Sequence, residues 1–493
     1  MAMMDDSRDM LSRLESIDRE ALSDVNRYGY DALKRAVEVN LMYEDYYYYD
    51  EPLTPLNGLQ TLMPLSMVFF NIRSLRDVED YLFLVEDMER YLDLVGVFES
   101  EKAEEGLFMT EVALDQVIES LRSFAAMGEE STLITSFDAV AEKARELGMS
   151  EEDCASASSR NREAVLEHVL PAYSRLADTL ESHRKDCSEF VGAAARGDKA
   201  KAYFELSARD EGATMDPMDK VVDLLDEMGN STYMDLYMAI VFGPDDLYDR
   251  YGEDISFGSV ENNLEWLGGF VKKYYPEMPD YSLRYIDVPE DIAEDFSPAA
   301  YLTPAFDDTY DNLMILNPYS EGSDDLLTIA HETIPGHMYQ FLTARNTPGL
   351  SVSQQLIEPT GYAEGWTVFS EYFVATHCDE IGSEYCTMMN CESTFFNIYM
   401  PAYISIMVNY EGWDLDDVYD LLQEYELDDA AEIFYEYAVT MPNYAMSYAI
   451  GYAYMLHIYE EANPRSASEH KAFFEKYLSF GPCYMDMMIE YMR

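Results

Sequence analysis

Seven histidines are spread over 493 residues, and two of them fall six apart in His331-Glu332-Thr333-Ile334-Pro335-Gly336-His337. Two imidazoles and a later carboxylate make a three-ligand set for Zn²⁺ that leaves a fourth position open. Glu364, in Glu364-Gly365-Trp366, offers that carboxylate. Glu332, beside the first histidine, stands where a metal hydrolase needs its general base. The pattern points to hydrolysis aided by one zinc ion per chain, with oligopeptides as the favoured substrates.

The spacing constrains the backbone. On a continuous α-helix a residue four positions on lies about 40° round from its start, whereas one six positions on lies about 240° round. An unbroken helix would therefore point His337 away from His331. Pro335 removes a backbone donor and crowds the preceding turn, and Gly336 tolerates the dihedrals that follow. The helix is expected to break between Ile334 and His337 and to swing the second imidazole back.

These residues resemble a known family. His-Glu-x-x-Pro-Gly-His followed by Glu-Gly-Trp is similar to the motif of the bacterial family called domain of unknown function 885, grouped with the gluzincin metallopeptidases. The resemblance extends to Tyr48-Tyr49-Asp50-Glu51-Pro52-Leu53 with Gly58, to Asp77-Val78-Glu79-Asp80-Tyr81-Leu82, to Ala445-Met446-Ser447-Tyr448-Ala449-Ile450-Gly451 and to Phe480-Gly481-Pro482. It implies zinc held by His331, His337 and Glu364, with Glu332 as the base. It also implies a mainly α-helical gluzincin-like fold with a small β-sheet and a deep cleft. Many relatives look exported or lipid-anchored, so export or envelope anchoring by a leader outside this sequence is favoured over the cytoplasm.

Further residues are candidates around this centre. Glu371 lies seven positions after Glu364 on the same helical face, where it could orient a ligand histidine. Tyr448 could stabilise an oxyanion. Met314-Ile315-Leu316-Asn317 is the candidate strand for pairing with an extended substrate, with Asn317 at its end. Arg345 is the only Lys or Arg between Arg284 and Arg465, so it is a candidate to hold a substrate carboxylate; pairing with nearby acids is the alternative. Glu411-Gly412-Trp413 repeats the third-ligand tripeptide, but the acids after it fit the first turn of a helix.

The elements that must position these groups are mostly helical. Asp77 to Val95 carries apolar residues at three- and four-residue steps, and residues 1–270 read as helices forming one wall of the cleft. The catalytic region is expected over 271–493. It opens with three short segments, Ser282 to Val288, Ala299 to Leu302 and Leu313 to Leu316, that read as a small sheet ahead of the metal motif. The 96 acidic residues outnumber the 32 basic ones, for a formal charge of −64. That charge argues against nucleic acid and anionic lipid as partners, and no segment is apolar enough to insert directly into a membrane. The six cysteines show no CxxC spacing and read mainly as unpaired. Two other functions fit less closely: a non-catalytic peptide-binding protein of the cell envelope, and a metal-dependent hydrolase of a non-peptide amide.

Overall fold

The computed structural model describes residues 2–244, 247–289, 293, 296–306 and 309–493. Among the described residues it is mainly helical, with one small sheet. The longest helix, Leu75–Glu104, starts at a capping box in which Ser74 and Asp77 satisfy each other's backbone donors. It buries Val78, Tyr81, Leu82, Val85, Met88, Leu92 and Val95 along one stripe, as the sequence periodicity requires.

The apolar residues divide into two large cores. One is built from Leu53 to Leu180, the other from Ala32 and Val39 together with Phe204 to Ile489. Phe204 to Val271 thus share a core with the metal motif, and the division in packing does not fall at residue 270. The N-terminal half still meets the site. A cavity of about 900 Å³ has Tyr49, Asp50 and Glu51 on one side and Asn443, Ser447 and Tyr448 on the other.

The sheet has three strands, β1 (Ser282–Asp287), β2 (Ala299–Leu302) and β3 (Asp311–Leu316), in the order β1-β3-β2. β1 runs parallel to β3 and β2 antiparallel, with Tyr301 opposite Met314. The expectation that Met314 to Asn317 pairs with substrate is corrected here. β3 is the central strand, its Met314 and Ile315 fully buried and both its edges hydrogen-bonded. The edge strands are β1 and β2.

The metal motif straddles two helices, Leu326–Glu332 and His337–Asn346. The break is stitched by the Gly336 N–H donating to Ala330 O at 2.9 Å and the Tyr339 N–H donating to Thr333 O at 3.0 Å. A Cβ on Gly336 would lie 1.8 Å from His331 O, so no larger residue fits that crossing.

The helix that carries Glu364, the candidate third ligand, spans Thr360–Ala375, and this third-ligand helix packs against Met446–Ala462 through glycine. A Cβ on Gly365 would lie 2.2 Å from the Gly451 carbonyl carbon, and one on Gly451 would lie 2.1 Å from Gly361 O. This approach sets Tyr448 beside the metal motif. Trp366, fully buried, donates from its indole N–H to Pro335 O at 2.7 Å and ties the break to the third-ligand helix.

All six cysteines are unpaired thiols. Among the described residues, no helix is long and apolar enough to cross a membrane.

Candidate metal centre

His331 closes the first helix, His337 opens the second, and Glu364 projects from the third-ligand helix. One ligand atom from each lies within 4.8 Å of the others. Glu364 Oε2 is 3.5 Å from His331 Nε2 and 3.4 Å from His337 Nε2, and the two imidazole centroids are 4.9 Å apart.

Glu371 lies behind His331. Its Oε1 is 2.6 Å from His331 Nδ1, and its Oε2 accepts from Asn390 Nδ2 at 3.4 Å. With Nδ1–H donated to Glu371, the lone pair of a neutral His331 sits on Nε2 and faces Glu364. A lone pair, a second imidazole nitrogen and a carboxylate oxygen then converge in a small space, an arrangement that repels itself unless a positive charge lies between them. The electrostatics agree. Burial opposes a charged His331, but Glu364 and Glu371 outweigh it and hold its pKa well above the ordinary value. Burial likewise opposes the Glu364 carboxylate, yet His337 and His331 hold its pKa well below the usual range. A cation coordinated by two nitrogens and one oxygen would supply the same charge as those protons, and the donor set suits zinc.

Glu332 is 8% exposed, and its Oε2 accepts the Tyr301 backbone N–H at 2.7 Å. That N–H points off the free edge of β2, away from β3. The other Glu332 oxygen accepts no hydrogen bond from a described residue. Tyr448 stacks on His331, with centroids 6.4 Å apart and rings inclined by 29°. Burial, then Glu364 and Glu332, push its phenol pKa far above the ordinary value, so it keeps its proton.

The structure therefore brings His331, His337, Glu364, Glu332, Glu371 and Tyr448 to one place. Arg345 lies further along the second helix and lines a cavity of about 370 Å³ with His337 and Glu364. Asn317 does not join them. Its buried side-chain amide donates to Ala293 O at 2.8 Å and Phe296 O at 3.0 Å, bracing the loop that leads into β2. The second Glu-Gly-Trp takes no part. Glu411 is exposed at a helix end, Gly412 adopts a left-handed conformation, and Asp414 caps the next helix through the Asp416 and Asp417 N–H groups.

Two contributors were not anticipated. The Tyr301 N–H is a backbone group, which no residue type advertises. Asn390 is one of many asparagines in helices, and its spacing from Glu371 carries no distinguishing signal.

The chain belongs to a bacterial protein family of unknown function, DUF885, whose model matches residues 2–235 and 242–492. Among solved structures it is similar to a candidate lipoprotein from Colwellia psychrerythraea, at a TM-score of 0.80 and 13% identity, covering 100% of this chain and 90% of that one. It is also similar to a candidate lipoprotein of unknown function from Shewanella oneidensis, at a TM-score of 0.58 and 15% identity, covering 99% and 91%. At these identities the likeness shows the fold alone. No functionally curated protein matches the chain.

Proposed function

We propose that the protein is a zinc-dependent peptidase with a gluzincin-like centre, in which His331, His337 and Glu364 hold one ion. The observation that carries this reading is the convergence of those three ligand atoms, with Glu332 adjacent and Glu371 bracing His331 from behind. When bound, the ion supplies a Lewis acid that polarises a carbonyl and makes water acidic. Glu332 takes the proton of the attacking water and passes it to the leaving amine. The Tyr301 N–H fixes one of its oxygens and leaves the other for that transfer. Tyr448, a neutral donor, stabilises the oxyanion. β2 is an edge strand that passes Glu332 at Tyr301, and an edge so placed suits an extended oligopeptide backbone, which favours a peptide over another amide.

An exported or envelope-associated location is proposed with this activity. Its support is the likeness in fold to two candidate lipoproteins and the strongly acidic composition, which suits an exposed solvated coat.

The test combines metal analysis with a peptide-library cleavage profile. One zinc per chain and amide hydrolysis that Glu332→Gln abolishes are expected. Zinc binding without hydrolysis would instead favour a peptide-binding role, and hydrolysis confined to non-peptide amides would reassign the substrate.

A further inference from the structure

Arg345 is out of keeping with its surroundings. In a chain with 96 acidic residues, its guanidinium makes no ion pair within 4.0 Å among the described residues, while most other arginines do. Its Nη1 is buried without a hydrogen-bond partner. The guanidinium carbon instead sits 4.2 Å from the Phe306 ring centroid and 4.8 Å from that of Phe341. Aromatic contacts of this kind hold a guanidinium in place without using its N–H groups. Burial weakens the cation, and Glu358 works against that from beyond ion-pair distance.

The position matters as much as the missing partner. His337, Phe341 and Arg345 are spaced by four along one helix and so share a face. Eight residues at 1.5 Å rise put Arg345 roughly 12 Å along the axis from His337, the span of a few residues of extended peptide. His337, Glu364, Tyr301 and Thr303 line the same cavity of about 370 Å³.

Resting on the peptidase reading above, we propose that Arg345 is a substrate-binding residue that captures a carboxylate of the peptide within a few residues of the scissile bond. A planar fork of N–H donors matches a carboxylate in two-point contact, and Glu358 and Glu364, which also line the pocket, disfavour more highly charged anions. The carboxylate is either the peptide's C-terminus or an acidic side chain. The subsite thus reverses the sign of a molecule whose net charge alone would draw basic peptides.

The experiment uses two matched pairs: one peptide with a free C-terminus and its C-terminal amide, and one with an internal Glu and its Gln counterpart. Specificity constants are measured on the zinc-loaded protein. Dissociation constants are measured by calorimetry on zinc-loaded Glu332→Gln, which reports binding without turnover. One carboxylate-bearing member is expected to bind and react about ten- to a hundredfold better than its neutral match, the range for hydrogen bonds to charged groups. Arg345→Gln should erase that contrast with zinc content unchanged, and Arg345→Lys should restore part of it. A contrast confined to the first pair identifies the C-terminus, and one confined to the second identifies an acidic side chain. Equal treatment of both pairs by the unmodified protein, or a contrast that survives Arg345→Gln, overturns this inference and leaves the peptidase reading intact. Failure to bind or cut any of the four peptides overturns both.

Discussion

An imidazole held through Nδ1 can present Nε2 in only one direction, so the 2.6 Å contact from Glu371 does more than fill space beside His331. It fixes the tautomer and the ring plane. Outer-shell carboxylates of this kind typically change metal affinity by about ten- to a hundredfold, and Glu371→Ala is expected to weaken zinc binding within that range while leaving one site per chain. Competition titration against a chelator measures it, and an unchanged affinity would make Glu371 merely structural. Glu332→Gln should behave oppositely, keeping zinc and losing turnover by at least about a hundredfold, because an amide cannot take the proton from water. His337→Ala should remove stoichiometric zinc. The two histidines were legible in the sequence because a scarce residue type stood at a telling spacing, and Glu332 and Glu364 because they sit in the family-like motif around it. The Tyr301 N–H was not, since every residue but proline carries one, and only the fold decides which of them faces a carboxylate. Asn317 was misread because an amide at a strand end could serve substrate or loop with equal chemistry.

At the scale of elements, the site depends on one broken helix and one close helix pair. The break was legible because proline and glycine act on the backbone directly, and their effect needs no knowledge of the rest of the fold. The order of the strands was not. β3 lies centrally because β1 and β2 pair with its two sides, and nothing local in Leu313 to Leu316 separates a central strand from an edge strand with one face buried. The glycine contacts between the third-ligand helix and Met446–Ala462 were equally hidden, since a glycine within a helical pattern does not reveal its neighbour. They support a specific expectation. Gly451→Ala forces a methyl toward Gly361 O at 2.1 Å, so the two helices must separate, and Glu364 and Tyr448 ride on them. Overpacking of this sort costs about 1–3 kcal/mol or more, and zinc affinity should fall with stability. Glu411→Ala, on the exposed second Glu-Gly-Trp, should change neither. Thermal melts with and without zinc test both variants, and a Gly451→Ala protein with unaltered zinc affinity would show that the pair does not set the ligand geometry.

Over the whole molecule, two cores and a large acidic excess must coexist. The resulting pH dependence runs against the usual expectation that carboxylates stabilise a protein as they ionise. Glu99 is fully buried in the Leu75–Glu104 helix, with neither carboxylate oxygen hydrogen-bonded. Burial pushes its pKa up from 4.5 to about 7, only partly offset by Lys102, whose Nζ is 3.6 Å away and donates to Asp50 O. Burial also raises Asp210, Glu211, Asp226, Asp235 and Glu460. A carboxyl whose folded pKa is raised keeps its proton longer in the folded state than in the unfolded one. Between about pH 4.5 and 7 the folded state therefore binds more protons, and stability must fall as pH rises through that window. For Glu99 alone the full effect is on the order of 3 kcal/mol. Carboxylates held low by arginine partners, such as Glu86 and Glu181, lose their contribution only at lower pH, so the two effects occupy different ranges. The protein should thus melt at a higher temperature near pH 5 than near pH 7.5. Glu99→Gln should flatten that slope by removing one of its main sources, which a series of melts across the window in wild type and variant would read directly. An equally steep slope in the variant would mean that Glu99 ionises normally in the folded protein, with Lys102 compensating fully for its burial.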